Sequence, residues 1–311
     1  MPDRIAVELP DGVRLNVESH GPTDAPLTVL LLHGWTLDAR TWRRQVADLP
    51  AAVGRPVRII AYDTRGHGRS GGTAMRGATL AQLGDDLAAV IAQVAPTGPL
   101  VLAGHSLGGM TIMEYADSRP DEFAARVAGL VFVATTAEGH THTVYGLSPR
   151  VTRLVRLAET GGACVLARFG SQRWHRHLLR ALRPSLRWLL FGDTCSAEDL
   201  RLTTSAVARA SMGAIGAFRQ SVGAQHRLDT LAALGTVPAA ALVGDRDRLT
   251  PPACAESIAS ALPTTELTVC PGAGHMLMLE RPEVVTGALA AVVRQAAPAR
   301  GRSGTRLRPA A

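Results

Sequence analysis

Lysine is missing from this chain: all 33 of its basic residues are arginine. Arginine-only usage beside abundant alanine, glycine and leucine reflects a high-GC coding sequence rather than a functional device. Cysteine is scarce, with four residues, Cys164, Cys195, Cys254 and Cys270, none in a CxxC pair. That spacing predicts neither a zinc site nor a disulfide framework. Long apolar runs are also lacking. No segment approaches the ~18 apolar residues of a membrane helix, and the longest early run, Val29–Leu32, has the length of a strand. The first eight residues carry no apolar core of leader length, so the expectation is a cytoplasmic protein without stable membrane insertion.

Acidic residues are outnumbered, giving a formal charge of +7, but the excess is unevenly placed. Arg300, Arg302, Arg306 and Arg308 fall in residues 298–311, a stretch with no acidic residue and no apolar periodicity; without these four charges +3 remains. A diffuse charge of that size does not point to nucleic acid. The Arg-rich tail reads as a disordered appendage, with weak contact to anionic surfaces as the alternative.

What the chain does have is a strand–helix rhythm. Arg4–Leu9 and Val13–Ser19 flank Asp11-Gly12 and read as a hairpin. Leu27–Leu32, Val57–Tyr62, Leu100–Ala103 and Val127–Val133 are continuous apolar runs, as in strands buried on both faces. Between them Thr41–Leu49, Leu80–Val94 and Met110–Ala116 carry helical spacing. The rhythm stops at about Thr136. Residues 136–234 hold only amphipathic helical segments, such as Val151–Leu157, Trp174–Leu182 and Leu186–Leu190. It resumes with strand Val237–Val243, helix Pro252–Leu262, strand Glu266–Val269 and helix Pro282–Arg294. The predicted fold class is α/β: a mostly parallel central sheet with helices on both faces and a helical cap inserted. The predicted division is core residues 1–135, cap 136–234, core 235–297 and tail 298–311.

Gly104-His105-Ser106-Leu107-Gly108-Gly109 stands between an apolar strand and a helix, the context that a G-x-S-x-G nucleophile turn requires. Glycine two positions to either side removes Cβ atoms that would clash in such a tight turn. A serine hydroxyl is a weak nucleophile near neutral pH, so it needs a base within hydrogen-bond reach and an acid to orient that base. His275 follows the last strand after Gly272-Ala273-Gly274, which makes it the base. Three acids compete: Asp247, three residues beyond Gly244, is preferred; Asp245 is expected to hold its own turn, and Glu138 is the third. Acyl chemistry also needs oxyanion donors. The Leu107 amide is one, and the Trp35 amide in His33-Gly34-Trp35-Thr36 is assigned as the second. The Trp35 side chain and His105 are expected to contact substrate, and His33 to brace its loop.

Taken together, these motifs resemble the α/β-hydrolase superfamily, in particular its capped esterase and lipase-like members. The resemblance rests on His33-Gly34-Trp35, Asp63-Thr64-Arg65-Gly66-His67-Gly68-Arg69-Ser70, the Ser106 turn, Gly244-Asp245-Arg246-Asp247 and Gly274-His275-Met276-Leu277-Met278-Leu279-Glu280-Arg281-Pro282. They occur in family order and span residue 4 to about 296. It implies that Asp63–Ser70 is a structural loop despite Arg65 and His67. It also implies that residues 136–234 set substrate choice. Dehalogenases and epoxide hydrolases of this superfamily carry aspartate where Ser106 stands, which argues against both.

The expected reaction is hydrolysis of a small ester, lactone or thioester through an acyl-enzyme, with Ser106, Asp247 and His275 as the triad and no cofactor or metal. The same triad also serves acyl transfer, cyclisation, C–C bond hydrolysis and perhydrolysis, and a low-turnover ligand receptor would retain it. The cap residues Trp174, Leu178, Leu179, Trp188, Leu189, Leu190, Phe191 and Phe218 would line an acyl pocket or simply bury the cap, the second being preferred.

Overall fold

The computed structural model describes residues 2–72, 77–139, 141–142, 150–151, 154 and 182–296. Its centre is an eight-stranded sheet in the order β1-β2-β4-β3-β5-β6-β7-β8. The strands are β1 (Asp3–Glu8), β2 (Arg14–His20), β3 (Thr28–Leu32), β4 (Arg58–Tyr62), β5 (Leu100–His105), β6 (Val127–Val133), β7 (Ala239–Gly244) and β8 (Thr265–Cys270). The opening hairpin forms as expected. Gly12 takes φ 81° in its turn, and β2 alone joins its neighbours antiparallel while β3 to β8 run parallel.

Period-two alternation builds the core on both faces. Leu30 and Leu32 of β3 and Leu100 and Leu102 of β5 join one buried cluster. Val29, Leu31, Val101 and Ala103, one position along, join the other. Each fully buried leucine contributes about 1.5–3 kcal/mol, so strands buried on both sides read as unbroken apolar runs. The first cluster is covered by α2 (Leu80–Val94) and α3 (Leu107–Ser118), the second by α1 (Arg43–Val53) and, near the C-terminus, α11 (Pro282–Ala296). The helix expected over Thr41–Leu49 begins as a 3-10 turn, Ala39–Trp42, before α1.

α4 (Pro120–Arg126) connects α3 to β6. Between β6 and β7 the described helices are α5 (Arg183–Leu190), α6 (Ala197–Val207), α7 (Met212–Gly223) and α8 (Leu228–Ala233); no strand occurs there among the described residues. α9 (Pro252–Ala261) and the short α10 (Leu277–Glu280) follow β7 and β8. The expected helices at Val151–Leu157 and Trp174–Leu182, with Cys164, Trp174, Leu178, Leu179 and the tail 298–311, lie outside the described residues except for isolated positions. Among the described residues no helix is long and apolar enough to cross a membrane.

Candidate active site

Ser106 sits where β5 turns into α3, with φ 51° and ψ −115°, a conformation that L-residues adopt only when their surroundings enforce it. The surroundings do so. Ser106 N donates to Val133 O at 3.0 Å, and Thr135 Oγ1 donates to Ser106 O at 2.6 Å. A Cβ at Gly104 would collide with the Gly109 amide, and one at Gly108 with the Leu32 carbonyl. Glycine at both positions therefore lets the helix start pack directly on the strand ends. Ser106 is partly exposed between buried neighbours, and Leu107 supplies the first amide of α3.

His275 lies 28 residues beyond Asp247 in sequence, yet its Nδ1 is 2.8 Å from Asp247 Oδ2. Both side chains are buried. The carboxylate is held from several sides. Leu249 N and Thr250 N donate to Oδ1 at 2.8 and 2.9 Å, and Thr250 Oγ1 donates to Oδ2 at 2.8 Å. Because Asp247 accepts at Nδ1, His275 carries its proton there and presents Nε2 as the lone-pair nitrogen. Of the other two acids, Asp245 accepts from Gly272 N at 2.8 Å, which ties its turn to the loop after β8 rather than closing the turn itself. Glu138 pairs with His142 at 2.9 Å. Hydrogen bonds from Ser257 and then His142 hold the Glu138 carboxyl below its ordinary range.

The loop after β3 is braced by two histidines. His33 Nδ1 donates to Gly34 O at 2.8 Å, while its Nε2 accepts from Thr64 N at 3.0 Å. Leu37 N also donates to Gly34 O. In a planar trans peptide this directs the Trp35 N–H away from Leu37 and the His33 ring. Thr36, at φ 63°, donates its amide to His67 Nε2 at 3.0 Å, and His67 Nδ1 donates to Arg65 O. Burial, with His33 nearby, pushes the His67 pKa down to about 3, matching a ring whose Nε2 must accept. Arg65 is buried and chelates Asp86 through two contacts of 2.6 Å. Asp63 accepts from Ala39 N, Arg69 N and Asn16 Nδ2. The Asp63–Ser70 segment is thus a structural brace.

Behind His275, the Glu280 carboxylate accepts from Gly192 N at 2.8 Å and Gly274 N at 3.0 Å, and burial raises its pKa. His275 N and Met276 N donate to Leu190 O. The end of α5 is thereby stitched to the histidine loop.

One cavity of about 190 Å³ joins these parts. Ser106 and His275 line it with Trp35, Met110 and Leu249 from the core side, and Leu186, Leu189, Leu190, Arg219 and Val222 from the segment between β6 and β7. His105 is not among its lining residues, which corrects the expectation that it touches substrate. It ends β5 on the side of Val101 and Ala103, is fully buried, and its Nε2 lies 2.9 Å from His275 O, with ring centroids 4.7 Å apart. Burial, then the proximity of His275, holds its pKa well below the ordinary value. A neutral His105 therefore donates Nε2–H to that carbonyl and steadies the neighbouring histidine. Of the apolar residues expected in the cap, Leu189 and Leu190 line the cavity, whereas Phe191 and Phe218 are core. Trp188 is half exposed, with the Arg248 guanidinium 4.6 Å from its ring. Sequence reasoning missed Thr250, Glu280 and Arg219.

The alpha/beta hydrolase family model matches residues 29–288. A pimeloyl-[acyl-carrier protein] methyl ester esterase from Edwardsiella ictaluri is 30% identical over 264 residues, 84% of this chain and 91% of its own. RutD of Variovorax paradoxus, named for carbamate hydrolysis, is 30% identical over 265 residues, 84% of this chain and 89% of that protein. Among solved structures, a thermophilic esterase from Thermogutta terrifontis, solved with malate bound, superposes with a TM-score of 0.74 at 26% identity. The match covers 95% of this chain and 100% of the other.

Proposed function

The chain belongs to the alpha/beta hydrolase family, and from that premise we propose that it hydrolyses carboxylic esters of small hydrophobic molecules by a serine mechanism. Ser106 Oγ attacks the acyl carbon as His275 Nε2 takes its proton. Asp247 keeps the imidazole in the required tautomer and stabilises the imidazolium. The Leu107 and Trp35 amides receive the oxyanion, each such donor being worth about 3–4 kcal/mol in the transition state. Collapse of the tetrahedral intermediate expels the alcohol with the proton from His275. Water, activated by the same imidazole, then releases the acid and regenerates Ser106.

One observation carries this reading: Ser106 and His275 line a single cavity while the far nitrogen of His275 is bonded to a buried aspartate. Relatives named as esterases along most of the chain support the ester as substrate. The helices of residues 136–234 act in this reading as a cap that shapes the acyl site, since their side chains form one wall. The test is turnover of p-nitrophenyl esters of increasing chain length by the wild-type protein and by Ser106→Ala. A fall in kcat of roughly 10⁴-fold or more is expected, and undiminished turnover in the variant contradicts the mechanism.

A further inference from the structure

Glu280 is absent from the cavity wall, yet its carboxylate joins two segments that form that wall. It ends α10, whose other three residues, Leu277, Met278 and Leu279, are buried. Gln45 Nε2 donates to Met278 O at 3.2 Å, and Arg44 donates to Leu279 O. From that fixed base one carboxylate oxygen accepts from the amide of Gly274, the residue before His275. The other accepts from the amide of Gly192, two residues beyond Leu190.

The two backbones touch where they cross. A Cβ at Gly192 would collide with the Gly272 carbonyl, and one at Gly274 with the Gly192 amide. Leu190 O accepts from His275 N at 2.9 Å, and Gly272 O accepts from Asp193 N at 2.8 Å. Leu190, with Leu186 and Leu189 of α5, lines the cavity beside His275. Displacing this crossing therefore moves the imidazole and the apolar wall together. Two N–H donors on separate segments need two acceptor oxygens on one group, which a carboxylate has and a carboxamide lacks. Such charge-assisted bonds are roughly twice as strong as neutral ones.

We propose that Glu280 is a positioning residue that sets two things at once: the place of His275, through Gly274, and the place of the acyl-binding wall, through Gly192. The inference rests on the reading of Ser106 as nucleophile and deepens it, because it ties the choice of acyl chain to the geometry of the base.

The test compares the wild-type protein with Glu280→Gln on 4-nitrophenyl acetate and 4-nitrophenyl hexanoate, with rates normalised to the Ser106 that a fluorophosphonate labels at long times. A misplacement of about 1 Å can cost about 10²-fold, so kcat for both esters should fall at least about tenfold in the folded variant. KM should rise at least about threefold for hexanoate, whose longer chain needs the wall, and stay nearly unchanged for acetate. The low-field proton of His275 Nδ1 should shift or broaden in the NMR spectrum of the variant. A normalised kcat within about twofold of wild type, or an unchanged chain-length dependence of KM, overturns the proposal. If the variant does not fold, hydrogen exchange in the wild-type protein decides. One opening of the crossing frees both amides, so Gly192 and Gly274 should show matching protection, within about threefold. Widely different protection rejects the tie. A wild-type protein that neither labels nor hydrolyses either ester removes the serine-esterase reading alone, and the proton and exchange measurements then decide the role of Glu280.

Discussion

His275 Nδ1 and Asp247 Oδ2 meet at 2.8 Å inside the protein, across a strand, a helix and two turns of intervening chain. That bond sets which imidazole nitrogen can accept a proton. In Asp247→Asn an amide faces Nδ1, either tautomer becomes available, and the imidazolium loses its counter-charge. We expect kcat to drop by roughly 10³–10⁴-fold while the protein stays folded. Steady-state kinetics with circular dichroism on the same sample check this.

Thr250 reaches the same carboxylate with both its amide and its hydroxyl. Thr250→Val keeps the shape and the amide bond but removes the hydroxyl, worth about 1.5–3 kcal/mol when its acceptor is charged. The expected result is a loss of about tenfold or more in kcat with KM little changed. A KM effect of that size instead would assign Thr250 to substrate binding.

Arg65 and Asp86 form a buried ion pair at 1% and 2% side-chain exposure. Asp86→Ala strands the guanidinium with only the more exposed Asp11 as acidic partner. The expectation is a loss of about 3–5 kcal/mol in unfolding free energy and an unchanged kcat in the fraction that remains folded. Urea titration and active-site-normalised turnover measure the two separately.

His67 has its pKa lowered to about 3 by burial, and His105 shifts in the same direction. Both are neutral in the folded protein across the range where the unfolded chain takes up protons, below about pH 6.5. Above that pH neither ring contributes a pH dependence. As pH falls from about 6.5 toward 3 the unfolded state binds protons that the folded state cannot, and stability declines by up to about 1.4 kcal/mol per pH unit for each ring. Denaturation midpoints at stepwise lower pH should show that slope, shallower in a folded His67→Gln.

Much of this architecture was legible because it follows short-range rules. Both-face burial made β3 to β6 continuous apolar runs, and the turn at Ser106 needs glycine where Gly104 and Gly108 stand. His275 and Asp247 follow strand ends, where a parallel sheet gathers side chains. α4 was missed because it is seven residues long and buries only Phe123, too short for helical periodicity to show. β8 lies at the sheet edge, so Leu267 and Val269 are partly exposed rather than core.

The sites missed are those made by distant chain segments. Thr250 gains its role only once Asp247 and His275 meet, and Glu280 only once the end of α5 packs on the histidine loop. Arg219 is one arginine among many until α7 docks. His105 was the readable exception: counting by two from Val101 and Ala103 puts it on the inward face, away from the cavity.

The most direct measurement is reaction with a fluorophosphonate, followed by peptide mass spectrometry. The account predicts a single stoichiometric adduct on Ser106 that forms rapidly in the wild-type protein, far more slowly in a folded His275→Ala, and not in Ser106→Ala. Labelling at another residue, or equal rates with and without His275, would contradict it.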